Sequence, residues 1–140
     1  LVRRANGLYD KGAKAFAASD LGKTVAYFAA AAEVYQAAWK KKPGDPGVGT
    51  DWATSQFYAG DVARALGTIQ MVLATNPDYQ PALYNKGNFL AHAALLATES
   101  GQTAAAAALK ERAKAAYEQA AKVDPSSDLG KRAARAAAQL

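Results

Sequence analysis

Few residues in this chain could do covalent chemistry. There is one histidine, His92, and no cysteine, so disulfides and thiolate metal sites are excluded. No His pair, His-Glu-x-x-His motif or other ligand set for a metal occurs. Glu99 follows His92 by seven residues, on the same helical face but two turns away, too far for a direct hydrogen bond. Gly22-Lys23-Thr24 looks like the end of a phosphate-binding loop, but Ala17 stands where that pattern needs its first glycine and no strand precedes it. The expectation is therefore no catalytic residue, no cofactor and no metal. What remains is recognition chemistry: Tyr9, Ala13 and Phe16 recur at i, i+4 and i+7, as do Thr50, Thr54 and Phe57. Each trio makes one stripe along a helix.

The elements that must carry these stripes are helices. Alanine supplies 37 of the 140 residues, whereas Val and Ile together supply eight. Alanine is the strongest helix former and β-branched residues favour strands, so the chain is expected to be all-α. Apolar periodicity predicts helices over about 2–18, 21–41, 48–58, 61–77, 80–98, 103–123 and a last one to the end. The breaks fall at Ser19-Asp20, Lys42 to Gly47, Gly60-Asp61, Asn76-Pro77, Glu99 to Gln102 and Asp124-Pro125, where caps, prolines and glycines stop helices. The last helix has one weak apolar stripe and carries Lys131, Arg132 and Arg135, so it reads as a polar cap over an open end.

Pro43 and Pro77 close two helices of the same kind, and the interval between them, about 34 residues, is the length of a helical repeat unit. That period points to a repeat array. The residues resemble the tetratricopeptide repeat (TPR) family: Lys11-Gly12, Ala31, Tyr35, Ala38 and Pro43 in the first repeat; Trp52-Ala53, Gly60-Asp61, Ala65, Ile69, Val72 and Pro77 in the second; Lys86-Gly87, Ala113, Tyr117, Ala120 and Pro125 in the third. Gly12 to Pro43 exceeds Ala53 to Pro77 by seven residues, and Gly87 to Pro125 by fourteen. Seven residues are close to two helical turns, so the first and third repeats are expected to have elongated helices with their apolar faces in register. The fold class expected is all-α, a right-handed superhelical solenoid of antiparallel helix pairs with about seven helices. A single domain over 1–140 would hold repeats at about 2–43, 46–77 and 79–125, with a capping helix at about 127–140.

The resemblance implies a protein-interaction scaffold that binds a peptide or helix in a groove formed by the first helix of each pair. Its floor would include Asn6, Tyr9, Asp10, Ala13 and Phe16, then Thr50, Asp51, Thr54, Phe57 and Tyr58, then Tyr84, Asn85, Asn88 and His92. Aromatic rings beside amides and carboxylates suit an extended peptide. The competing reading, in which Phe16, Phe57 and Tyr58 complete the core, stays open at this stage. Repeats that hold the carboxylate-ended tails of heat-shock chaperones present Lys, Asn, Asn, Lys and Arg at positions matching Tyr9, Ala13, Asp51, Pro81 and Asn85. The positive clamp is missing there, so such a tail is not expected as a partner.

Two other functions remain in play: self-association through aromatics such as Trp39 and Trp52, and attachment to nucleic acid or anionic lipid through Lys40-Lys41-Lys42 and the basic last helix. The net charge of +5 is moderate and interleaved with Asp and Glu, which favours solvated helix faces over a nucleic-acid surface. No apolar run reaches membrane-spanning length. The chain begins at Leu1 rather than Met, as a soluble fragment of a longer protein would, so the compartment is open and a membrane connection would need an upstream segment.

Overall fold

The computed structural model describes all 140 residues, as seven helices and no strand: α1 (Val2–Ala17), α2 (Leu21–Lys41), α3 (Pro46–Tyr58), α4 (Val62–Thr75), α5 (Gln80–Glu99), α6 (Thr103–Val123) and α7 (Asp128–Ala138). The chain, read above as one domain, gathers into two compact units, Leu1–Thr75 and Asn76–Leu140. None of the helices is long and apolar enough to cross a membrane.

The helix starts follow from local chemistry. Asp20 accepts from the backbone N–H of Lys23 at 3.1 Å, and Asp61 accepts from that of Arg64 at 3.0 Å. Each carboxylate satisfies a donor that has no partner within its helix. Asp45 does the same for Gly47 and Val48, at 2.9 and 3.2 Å. Helix α3 therefore begins at Pro46, two residues before the apolar pattern does, because a proline in the first turn has no N–H to lose.

The turns set the repeat. Helices α1, α3 and α5 end at Ala17, Tyr58 and Glu99, and α2, α4 and α6 begin at Leu21, Val62 and Thr103; both series advance by one constant interval. The left-handed turn residues Ser19, Gly60 and Gly101, with φ of 59°, 92° and 74°, keep the same interval. The spacing of Pro43 and Pro77 is seven residues shorter, because it measures helix ends instead. Helix α4 has 14 residues where α2 and α6 have 21, and α5 has 20 where α3 has 13. One helix is two turns short and the next is two turns long, so the apolar faces stay aligned.

In unit 1, α1 pairs with α2, α2 packs on α3, and α3 pairs with α4. Gly12 sits directly under the Phe28 ring, where a Cβ would lie 2.8 Å from ring carbons. Ala5, Ala31, Tyr35 and Trp52 form a buried cluster, flanked by Leu8, Tyr9, Trp39 and Val48. The Trp52 ring packs 6.2 Å from Trp39, so the tryptophans expected to serve self-association are turned toward each other. Trp52 is buried and Trp39 half-buried. Gln56, which stands where an aromatic is usual in the family, is also accommodated. With its amide oriented to satisfy both ends, its nitrogen donates to Thr68 Oγ1 at 2.7 Å and its oxygen accepts from the Trp52 indole at 3.2 Å.

Unit 2 pairs α5 with α6 and lays α7 against α6 and α5. Its internal geometry repeats that of unit 1 at twice the turn-to-turn interval. Tyr35 donates its hydroxyl to Asn6 Oδ1 at 2.5 Å; Tyr117 donates to Asn88 Oδ1 at 2.6 Å. Helix α7 thus stands to α6 as α3 stands to α2 in chain order, each following a second helix of equal length across an equally short turn.

Candidate functional site

The first-helix residues of unit 1 do converge. Tyr9 lies edge-on to Phe28 at 5.1 Å and to Tyr35 at 6.5 Å. Tyr58, from the end of α3, stacks on Phe28 at 5.0 Å and meets Phe16 at 5.3 Å and Phe57 at 5.2 Å. Around these rings lie two hollows that share Tyr9. One, of about 130 Å³, is lined by Tyr9, Ala13, Phe16, Phe28 and Tyr58. The other, of about 360 Å³, is lined by Asn6, Tyr9, Asp10, Tyr35 and Asp51.

The aromatic residues are neither plain core nor plain surface. Phe28 is 1% exposed and belongs to the core, whereas Phe16 is 53% exposed and rests on Tyr58. Tyr9, Phe57 and Tyr58 are half-buried. An exposed ring resting on another ring beside an open hollow is what a peptide side chain can pack against.

The electrostatics of this face are acidic. Burial, and then the negative charge of Asp51, push the Tyr9 phenol up to about 12, and the same causes raise Tyr35. Both tyrosines are therefore neutral hydroxyls at physiological pH. Burial first, and Asp45 second, push the Asp51 carboxyl above its ordinary range. A carboxyl raised on folding adds stability that is complete below its unfolded pKa of about 3.8 and is lost as pH rises through the folded value. The ionised Asp51 is thus held at a cost to the fold, a pattern common at functional positions.

Other residues expected in the groove are placed differently. Thr50 and Thr54 are buried, and their hydroxyls donate to their own helix, to Pro46 O at 2.7 Å and Thr50 O at 2.9 Å. Tyr84, Asn85, Asn88 and His92 belong to α5, in unit 2. Measured from the turn, Ala94 takes the level of Gly12 and Ala53, and Gly87 takes the level of Ala5. Tyr84, Asn85 and Asn88 consequently lie two turns farther from their turn than Tyr9, Asp10 and Ala13 do, while His92 shares the level of Asp10 and Asp51. His92 is exposed, Asn88 holds Tyr117, and Tyr84 lies 5.7 Å from the Tyr117 ring. No group of three His, Cys, Asp or Glu side chains is gathered to hold a metal ion.

Sequence reasoning saw the basic charge of α7 but assigned it to a polar cap or to attachment to an anionic surface and missed its contact with α5. The Arg132 guanidinium lies over the Tyr84 ring, 5.5 Å from its centroid. Elsewhere on the α5–α6 hairpin, burial and then the charge of Arg112 lower the Lys86 amine. Unit 2 therefore carries one cation, Arg132, against the tyrosine of α5. The signal that could have placed it there is the spacing of α7, which opens a fourth helix pair in register with α3.

Seven helices in antiparallel pairs, with turns at a constant interval, match solved structures over nearly the whole chain. The first TPR domain of human RPAP3 aligns at a TM-score of 0.59 and 20% identity, covering 99% of this chain and 93% of that one. The first TPR of Spaghetti (RPAP3), bound to the HSP90 peptide SRMEEVD, aligns at 0.54 and 19% identity over 99% and 94%. The TPR domain of Sgt2 from Aspergillus fumigatus aligns at 0.56 and 18% identity over 97% and 78%. The chain has the tetratricopeptide repeat fold. No family model and no curated protein matches the sequence.

One expectation is corrected by this likeness. A missing positive clamp at five first-helix positions does not exclude a chaperone tail, because a matched TPR domain is bound to an HSP90 peptide. The exclusion counts charge at too few places. It takes the level of α5 from Gly87 rather than from the turn, and it gives α7 no part in binding, although Arg132 of that helix lies over Tyr84.

Proposed function

We propose that this TPR chain is a protein-interaction module that binds a peptide segment of a partner protein, using the α1 and α3 face of unit 1 as one contact surface. The observation that carries the reading is the exposed Phe16 ring set on Tyr58 beside the two hollows that share Tyr9. Half-buried rings give contact area at small entropic cost, and carboxylates and amides at the rim can fix a backbone or a charged side chain. The HSP90 peptide in one matched TPR structure supports peptides as the ligand class and makes SRMEEVD the first one to try. On unit 2, Arg132 over the Tyr84 ring offers charge for such an acidic tail.

Panning a random peptide library on the chain, with SRMEEVD as a fixed comparison, tests this reading. Enriched peptides should lose about tenfold or more in affinity for the Phe16→Ala variant, the loss expected for an aromatic contact. Phe16 covers no core, so the variant should keep its helix content. Failure to enrich any peptide, or equal binding to the variant, would refute the assignment.

A further inference from the structure

We propose that the hollow bounded by Asn6, Tyr9, Asp10, Tyr35 and Asp51 takes a cation, the head group of a Lys or Arg side chain in the bound peptide. This deepens the peptide-binding reading and rests on it. Both carboxylates lining the hollow lack a cationic partner. Lys23 pairs with Asp20 and Arg64 with Asp61, both on the surface at helix starts. With 17 Lys and Arg against 12 Asp and Glu, cations are not scarce in this sequence, yet none is spent on Asp10 or Asp51. Lys11, the neighbour of Asp10, turns to the Tyr27 ring instead, 5.9 Å from its centroid.

The remaining walls suit the same ligand. An ionised carboxylate only accepts hydrogen bonds, so two of them call for a donor-rich group. Tyr35 spends its hydroxyl proton on Asn6 Oδ1, which leaves the phenol oxygen as a further acceptor toward the hollow. The half-buried Tyr9 ring lines the same hollow, so a bound head group would rest against an aromatic side chain as well as negative charge. The adjoining aromatic hollow shares Tyr9 and adds Ala13, Phe16, Phe28 and Tyr58. It would hold the apolar side chain of a neighbouring peptide residue. The preferred ligand is thus a basic residue with an apolar residue close by.

N-acetyl-arginine amide, N-acetyl-lysine amide and the uncharged N-acetyl-citrulline amide, each titrated into the 15N-labelled chain, test the hollow apart from any peptide. The two cations should move the amide signals of Asn6, Tyr9, Asp10 and Asp51, and citrulline should need about tenfold higher concentration, equivalent to roughly 1.4 kcal/mol. Asp10→Asn and Asp51→Asn should each weaken the cations severalfold and leave citrulline unchanged. Asp10 is exposed, so its variant keeps the experiment decisive if Asp51→Asn disturbs packing. Equal shifts with citrulline, or cation binding unchanged in both variants, would overturn the cation assignment. Library peptides that bind through Phe16 yet show no preference for Lys or Arg would overturn it too, while leaving peptide binding in place.

Discussion

Tyr35→Ala should lower the stability of unit 1 by about 3–5 kcal/mol, the range for removing a large buried ring. Tyr35 is 1% exposed and heads the fully buried side chains by volume. It joins α2 to the α1 residue Ala5 and the α3 residue Trp52 within one cluster, so its loss leaves a cavity touching three helices. Tyr35→Phe separates the ring from the hydroxyl. It removes only the bond to Asn6, and Asn6 is open to water, so a cost of about 0.5–1.5 kcal/mol is expected. Both tryptophans, Trp39 and Trp52, lie in unit 1. Urea unfolding followed by tryptophan fluorescence therefore reads this unit. A shift in midpoint of similar size for Tyr35→Ala and Tyr35→Phe would mean that the hydroxyl, not the ring, holds the cluster together.

Gly130→Ala should detach the start of α7 in unit 2. A Cβ on Gly130 would lie 1.9 Å from the Asp124 carbonyl oxygen, a backbone atom that cannot swing aside. The same turn is fixed by Ser127, whose hydroxyl donates to Asp124 O at 2.9 Å and accepts from the Gly130 N–H at 2.9 Å. Forcing a methyl group into this space costs about 1–3 kcal/mol, as overpacking does elsewhere. Gly7 provides the control: nothing lies within 4 Å of its Cβ position, and it sits inside α1. Gly7→Ala should stabilise by about 0.5–1 kcal/mol, because alanine loses less freedom in a helix. Thermal unfolding followed by circular dichroism at the helical minimum compares the two. An unchanged melting curve for Gly130→Ala would show that the Asp124–Ser127 turn is not what holds α7.

The helices and their turns were legible because caps, prolines and glycines are chemical signals that act locally. Asp20 and Asp61 each start a helix at a break that the sequence marked. The elongated second helices were legible from the seven-residue excess. The level of α5 was not. Gly12 and Gly87 both lie under a ring, Phe28 and Tyr117 respectively, so the small-residue mark fits two levels separated by two turns. Only the constant turn-to-turn interval separates them, and the Pro43 to Pro77 spacing masks that interval because α4 is short.

The candidate site was legible in part for a different reason. Aromatic spacing located Tyr9 and Phe16 on one stripe, but spacing cannot say which hydroxyls a helix keeps for itself. Thr50 and Thr54 turn theirs back onto the carbonyls four residues earlier. Nor does spacing reveal that Tyr35, on the second helix, reaches Asn6 and becomes a wall of the acidic hollow. The tertiary partner of a polar residue decides its role, and that partner lies 29 positions away in the sequence.

The most direct test of peptide binding through the α1 and α3 face is a footprint of the complex. The backbone amides of the 15N-labelled chain are recorded as a library-selected peptide is added. Signals of Tyr9, Asp10, Phe16, Asp51 and Tyr58 should shift together, with one dissociation constant, while those of Ala26, Ala29, Ala63 and Gln70 on the exposed sides of α2 and α4 should stay in place. Shifts confined to α2 and α4, with the α1 and α3 signals unmoved at saturation, would contradict the account.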